Sequence, residues 1–183
     1  EMSASLVGSE MCIRDRSSYV KSTLCFATAD NIEGPYTYVD TILYSGYGKS
    51  NISETNLYDV LGKNADISRY LEYGGYNNKE WPNCIDPAIF TDADGRMWMN
   101  YGSWSGGIFL LEIDPATGYP IYPVDDKDAD PYYGYRLIGG GHHSAEGPYI
   151  QYDAENGYYY LFVSYGDLQS DGCLLYTSPS PRD

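Results

Sequence analysis

Alternating apolar and polar positions along most of this chain predict antiparallel β-strands joined by short polar turns. Residues 22–29 and 36–44 flank the polar sequence DNIEGP and predict a hairpin with Glu33 in its turn. Residues 87–103 predict strand, turn and strand, and residues 106–123 predict another pair of strands around Asp-Pro-Ala-Thr-Gly. The pattern therefore favours an all-β fold.

Two segments depart from this alternation. Residues 51–76 predict an inserted loop with one or two helical turns, for which Ser53 is a plausible N-cap. The acidic run at residues 125–131 predicts a solvated loop, because its carboxylates lack the ligand spacing of a calcium loop.

An internal repeat relates residues 87–102 to residues 148–166. Each copy has an apolar strand, an Asp-containing turn that ends in glycine and an aromatic strand that ends in Tyr-Gly, and the two turn aspartates lie 61 residues apart. Small antiparallel sheets that repeat at this interval with almost no helix are typical of β-propeller blades. Equivalent ends of neighbouring blades meet near the central channel, where Asp86 and Glu146 would each precede the first strand of a repeat.

These two carboxylates are the candidates for chemistry. Hydrolysis of a glycosidic bond requires one carboxyl group that donates a proton to the leaving oxygen and one that activates water. Neither motif is specific alone: Glu-Gly-Pro-Tyr also occurs at Glu33, and two of the three Asp-Pro pairs lie in turns. Placement in the repeat favours Asp86 and Glu146, whereas Glu33 is interpreted as a turn residue.

Composition narrows the possible partners. The 183 residues carry 11 basic and 26 acidic side chains, for a net charge of −15, which argues against nucleic acid and anionic membranes because both attract a basic surface. The sequence contains no apolar run of about 18 residues, the length that a membrane span requires. Its 22 tyrosines are expected mainly on half-buried strands, with a minority able to stack on sugar rings.

The two ends of the chain differ from the rest. Residues 173–183, CLLYTSPSPRD, resemble one reading frame of a transposase-end sequencing adapter, and residues 6–16 resemble a frame of its opposite strand. We therefore interpret residues 1–16 as a non-native leader, 17–172 as the protein and 173–183 as adapter translation; a natural disordered tail is the alternative. Cys25 and Cys84 then remain, and they are expected to be buried thiols.

The sequence CIDPAIFTDADGRMWMNYGSWSGGIFLLEID, followed by HHSAEGPYI and YYYLFVSYG, resembles glycoside hydrolase family 43. It is most similar to the arabinanase branch, whose members are five-bladed β-propellers that invert the anomeric centre. The resemblance covers nearly all of residues 17–172 and implies a partial five-bladed β-propeller. It implies that Glu146 is the general acid and that Asp86 modulates and orients it.

The same resemblance supplies further expectations about the site. The family's general base is an aspartate of the first blade, and because no matching segment precedes SSYVKSTLCFATAD, the chain alone is expected to be inactive. Ser103 and Trp104 resemble a motif that borders the sugar cleft, although Trp104 could instead pack between blades. His143 could bind the sugar or the acid, or lie in a solvated loop beside His142. No cofactor is expected and no metal ligand is identified, although a calcium ion in the channel of the full-length protein is possible.

Three functions remain open at this point. The first is a fragment of an extracellular or periplasmic inverting glycosidase, similar to endo-1,5-α-L-arabinanases, that acts on arabinan or arabinoxylan of plant cell walls. The second is an invertase-type fructan hydrolase, which the residues Ile85 and Gly147 disfavour because that group has Arg-Asp-Pro and Glu-Cys-Pro. The third is a non-catalytic carbohydrate-binding propeller.

Overall fold

The computed structural model of the protein describes residues 4–5 and 21–166, and it is built almost entirely of antiparallel β-strands. Its helical segments are short: helix α1 (Leu57–Leu61) and the 3₁₀ helices Ile52–Glu54 and Ser68–Tyr70. The strands are β1 (Ala4–Ser5), β2 (Thr23–Thr28), β3 (Thr37–Tyr44), β4 (Leu71–Glu72), β5 (Gly75–Tyr76), β6 (Ala88–Thr91), β7 (Met97–Tyr101), β8 (Ile108–Ile113), β9 (Tyr135–Ile138), β10 (Ala145–Asp153) and β11 (Tyr158–Tyr165).

Strands β2 and β3 form the predicted hairpin. They pair antiparallel between Thr23–Tyr44 and Thr28–Thr37, and β1 pairs with the other edge of β2. Glu33 is exposed in the turn between them. The interpretation of Glu33 as a turn residue is therefore confirmed.

Strands β6, β7, β8 and β9 form a four-stranded sheet in sequence order, and β10 and β11 form a separate two-stranded sheet. Both copies of the internal repeat are thus strand–turn–strand units, as predicted. The second strand expected within residues 106–123 was wrong: beyond the turn, the chain makes one isolated bridge, Ile113 to Pro120. The N–H of Ile121 donates to the carbonyl of Glu112 at 2.8 Å beside this bridge, and the next strand that pairs with β8 is β9.

The insertion between β3 and β6 contains the predicted helical turns, but the cap differs. Ser53 lies inside a 3₁₀ turn, and Asn56 precedes α1 without a side-chain capping bond. The Asn56 amide instead donates to the carbonyl of Ile42 and to the hydroxyl of Tyr122, and its oxygen accepts from Tyr132 at 2.5 Å. Its side chain therefore fastens the insertion to the neighbouring sheets.

Buried tyrosines dominate the core, and most of the largest lie outside the strands. Tyr47, Tyr70, Tyr132 and Tyr133 are fully buried in loops or in a 3₁₀ turn, whereas Tyr101 lies on β7. Their hydroxyls are paired, for example Tyr133 with the carbonyl of Tyr44 at 2.7 Å and Tyr101 with the carbonyl of Tyr133 at 2.8 Å. The expectation that tyrosines lie mainly on half-buried strands therefore misses these core residues.

Asp130 corrects the prediction of a fully solvated acidic loop. Its side chain is buried, and it accepts from the backbone N–H groups of Tyr132 at 2.9 Å and Tyr133 at 2.8 Å. The Tyr70 hydroxyl at 3.1 Å and the Arg69 guanidinium at 3.2 Å complete its shell. A buried carboxylate with this many donors is a structural anchor, and it ties the insertion to the loop before β9.

The predictions about the chain ends, the cysteines and membrane spans have different outcomes. Residues 6–16 and 173–183 lie outside the described residues, so their interpretation as adapter translation stays a prediction. Within residues 21–166, Cys84 is buried, Cys25 is half-buried and neither forms a disulfide. No helix among the described residues has the length and apolarity to cross a membrane.

Candidate functional site

A cleft of about 490 Å³ contains both predicted carboxylates. This volume is in the range of small-molecule sites. The cleft lies where β6 and β10 begin and where β7 and β9 end, as the propeller prediction requires. Its lining residues are Asn83, Ile85, Asp86, Ser103, Trp104, Ser105, His142 and Glu146.

Asp86 and Glu146 are connected through the residue that follows the glutamate. Asp86 precedes β6, and Glu146 is half-buried as the second residue of β10, inside the strand that it was predicted to precede. The ladder from β10 to β11 is irregular between Glu146 and Tyr149, which places Gly147 and Pro148 in a bulge. The N–H of Gly147 donates to the Asp86 carboxylate. The bulge thus directs the N–H of the residue after Glu146 to the aspartate.

The loop that follows β7 connects the two strand starts. The N–H of Gly102 donates to the carbonyl of Ile85 at 2.9 Å, and the N–H of Trp104 donates to the carbonyl of Ala145 at 2.8 Å. The Ser103 hydroxyl lies 3.5 Å from a Glu146 carboxylate oxygen, at the outer limit of a hydrogen bond. Ser103 and Trp104 therefore lie in the wall of the cleft that Asp86 and Glu146 also line.

Backbone strain is concentrated in this cleft. Among the described residues, the non-glycine residues with positive φ are Tyr73, Asp86, Trp104, Ser105 and His142, and all but Tyr73 line the cleft. Such conformations cost about 1–3 kcal/mol each and persist where the surroundings enforce them, often at functional sites. The backbone conformations of these four cleft residues therefore lower the stability of the fold while they set the directions of the side chains.

The Asp86 carboxyl is solvent-exposed, yet the cleft walls remove part of its hydration. This desolvation raises the pKa of Asp86, and the hydrogen bond from Gly147 opposes the shift. Both effects act on a carboxyl group that faces the same cleft as Glu146. An altered carboxyl pKa at such a position is typical of acid–base sites.

The structure brings His142 to the cleft rather than His143. His142 lines it with φ of +63°, and its N–H donates to the carbonyl of Ser105 at 2.9 Å. Both histidines are exposed, but His143 does not belong to the lining. The side chains of adjacent residues point in different directions, and the backbone conformation of the loop decides which histidine faces the cleft. The sequence HHSAEGPYI alone therefore does not distinguish His142 from His143.

We expect His142 to titrate below its usual value of 6.5, because desolvation and then the charge of Lys79 lower its pKa. The unfolded chain would take up the proton first as the pH falls below 6.5, so this group opposes folding in that window. Ring-proton NMR measures the midpoint. Lys79→Met should move it upward, whereas Lys63→Met, at an exposed lysine outside the causes of the shift, should leave it unchanged. A midpoint that Lys79→Met does not move would contradict the assignment.

Sequence reasoning missed Asn83, which lines the cleft and is buried. Its side-chain oxygen accepts from the Ser22 hydroxyl, which in turn lies 2.9 Å from the Ser45 hydroxyl. No local motif marks Asn83, because its partners come from the hairpin β2–β3. The contact anchors the cleft to that neighbouring sheet.

Metal binding finds no support in the part of the chain that the structure describes. No group of three or more His, Cys, Asp or Glu side chains in residues 21–166 could hold a metal ion.

Comparison with known sequences identifies several similar proteins. The family model described as Glycosyl hydrolases family 43 matches residues 44–182. The extracellular endo-α-(1→5)-L-arabinanase of Thermotoga petrophila is 41% identical over 83% of this chain, and extracellular endo-α-(1→5)-L-arabinanase 2 of Bacillus subtilis is 40% identical over 83%. The chain spans only 28% and 27% of the lengths of these relatives.

Solved structures show the same similarity. The crystal structure of the Thermotoga petrophila endo-1,5-α-L-arabinanase matches with a TM-score of 0.59 at 41% identity, covering 80% of this chain and 28% of that one. A family 43 glycoside hydrolase of Bacillus licheniformis matches with a TM-score of 0.61 at 38% identity, covering 85% and 29%. These neighbours are five-bladed propellers, so the prediction of an all-β, partial five-bladed β-propeller is confirmed.

Proposed function

Because this chain belongs to glycosyl hydrolases family 43, we propose that it is part of a glycosidase that hydrolyses α-1,5-linked arabinan with inversion at the anomeric carbon. The observation that carries the proposal is the single cleft that the carboxyl groups of Asp86 and Glu146 both line. The named activity of the Thermotoga petrophila and Bacillus subtilis relatives supports arabinan as the substrate.

Glu146 is proposed as the general acid. Its half-buried side chain lines the cleft, and the Ser103 hydroxyl lies 3.5 Å from one of its carboxylate oxygens. This weak contact orients the carboxyl group without occupying it fully, so it remains available to the glycosidic oxygen. Proton donation to that oxygen as the C–O bond breaks leaves an alcohol at the end of the shortened polysaccharide.

Asp86 is proposed to act through position. Its carboxylate accepts the N–H of Gly147, an N–H that the bulge has released from the strand ladder. This bond sets the backbone that follows Glu146 and hence the direction of the acid. Asp86 itself faces the cleft with φ of +54°, so it can also contact a sugar hydroxyl.

Trp104 is proposed as the stacking surface for a pentose ring. Trp104 is half-buried in the cleft wall, and its φ is +50°. Its backbone N–H donates to the carbonyl of Ala145 at 2.8 Å. The face of an indole ring packs well against the C–H groups of a sugar. His142, which also lines the cleft, is proposed in the sugar-binding role first assigned to His143.

The water-activating base is proposed to lie in a part of the full-length protein that this chain does not carry. An inverting reaction requires a carboxylate on the opposite side of the sugar from the acid, far enough away to leave room for water. Asp86 and Glu146 already have other proposed roles, and within residues 21–166 the cleft lining contains no third carboxylate. Because its substrate is a cell-wall polymer and its relatives are named extracellular, the protein is proposed to act outside the cytoplasm.

The proposal is tested with the full-length protein on linear arabinan, arabinoxylan and inulin. We expect reducing ends to form from linear arabinan, with the β-anomer appearing first in proton NMR spectra of the products. Release of fructose from inulin would favour an invertase-type hydrolase. Binding of arabinan without hydrolysis of any of the three would favour a carbohydrate-binding propeller.

A further inference from the structure

Ser105 combines two properties that rarely occur together at the wall of a cleft. The residue is only 1% exposed although it lines the cleft, and its Oγ has no hydrogen-bond partner among the described residues. A buried hydroxyl without a partner costs free energy, so most proteins supply one. Ser45 shows the usual arrangement: it is 2% exposed, and its hydroxyl is bonded to Ser22 and to the N–H of Cys84.

The backbone around Ser105 prevents the loop from relaxing toward a partner. Trp104 and Ser105 have consecutive φ values of +50° and +40°, which non-glycine residues adopt only under constraint. The Ser105 carbonyl accepts the N–H of His142 at 2.9 Å, and the Trp104 carbonyl accepts the N–H of Gly107 at 2.7 Å. The loop is thus held in a strained conformation that leaves this hydroxyl unpaired.

Close packing adds to this constraint from the outer side of the loop. The N–H of Gly106 donates to the carbonyl of Trp81 at 3.0 Å, and a Cβ on Gly106 would lie 2.5 Å from the carbonyl oxygen of Glu80. The insertion therefore presses directly on the residue after Ser105. The side chain of Ser105 can still turn about its Cα–Cβ bond, which carries Oγ among three staggered positions.

We propose that the Ser105 hydroxyl binds a hydroxyl group of the sugar ring seated between Asp86 and Glu146. The inference rests on the proposed function and adds to it a residue that distinguishes substrates by one hydroxyl group. A serine hydroxyl both donates and accepts, which suits a neutral polyol. A buried group that is paired only by the correct substrate discriminates strongly against an analogue that lacks the matching hydroxyl.

The test compares Ser105→Ala with the wild type in the full-length protein. We expect kcat/KM on linear arabino-oligosaccharides to fall about tenfold to a hundredfold, because one hydrogen bond from substrate to a buried group is lost. The melting temperature should stay the same or rise, because the alanine removes an unpaired buried hydroxyl. Ser45→Ala, which removes a paired hydroxyl of equal burial, should instead lower the melting temperature.

Substrates that lack single hydroxyls identify the group that Ser105 contacts. Among aryl α-L-arabinofuranosides that each lack one ring hydroxyl, one should lose rate with the wild type and lose much less with Ser105→Ala. The inference is overturned if the wild type is active and Ser105→Ala stays within twofold on every substrate. A melting temperature that falls as far as that of Ser45→Ala would also overturn it. A wild-type protein inactive on every arabinofuranoside would instead refute the proposed function, and this assignment with it.

Discussion

Replacement of Glu146 by glutamine in the full-length protein is expected to lower kcat on linear arabinan by about 10²–10⁴-fold, the usual contribution of a general acid. Glutamine keeps the shape of the side chain and its place near Ser103, but it has no proton to give to the leaving oxygen. An aryl arabinofuranoside with an acidic phenol as leaving group needs little protonation, so its hydrolysis should decline far less. Initial rates on both substrates measure the difference.

The chain offers a matched control for this experiment in its second Glu-Gly-Pro-Tyr sequence. Glu33 is exposed in the turn between β2 and β3, and it does not line the cleft. Glu33→Gln should therefore leave both rates unchanged. An equal loss on both substrates with Glu146→Gln would argue that the residue binds or positions the sugar and is not the acid.

Substitution of Gly107 by alanine is expected to destabilise the protein by about 3 kcal/mol or more, through backbone strain and overpacking together. The φ of Gly107 is +100°, and an added Cβ would lie 2.1 Å from the carbonyl oxygen of Ile138 and 2.9 Å from the Cα of Gly139. Neither backbone group can move without opening the pairing of β8 with β9. Urea unfolding of the full-length protein measures the loss.

Gly95→Ala is the control, because Gly95 also has a positive φ, +82°, but has no atom within 4 Å of the added Cβ. That variant should lose only about 1–2 kcal/mol, from the backbone conformation alone. If both alanines cost the same, the close approach of Gly107 to Ile138 would contribute nothing to stability.

The sequence was most informative where one element carries its own signal. Alternation predicted the hairpin β2–β3 and the two strand pairs of the repeat, and position within the repeat separated Glu146 from Glu33. The bulge at Gly147 and Pro148 was not predicted, because a Gly-Pro pair is equally compatible with a turn. That bulge connects Asp86 to the strand of Glu146.

Reasoning from sequence failed where a residue's environment comes from distant parts of the chain. Asp130 lies in a run of acidic residues, but its carboxylate is buried, accepts a hydrogen bond from Tyr70 and forms an ion pair with Arg69, some 60 residues earlier. Asn83 depends in the same way on Ser22. The choice of His142 over His143 depends on a backbone bond to Ser105 that local polarity does not indicate.

The anchor at Asp130 has a consequence for exchange of segments between related enzymes. Arg69 forms an ion pair with Asp130, and its guanidinium lies over the ring of Trp81. The indole N–H of Trp81 donates to the Arg69 carbonyl at 2.7 Å. The carbonyl of Trp81 accepts the N–H of Gly106 in the cleft loop. The insertion between β3 and β6 therefore supports the cleft loop through these contacts and is not an independent module. A chimera that imports residues 45–85 from a homologue should keep the substrate range of this cleft only if the donor segment brings partners for Asp130 and for Gly106.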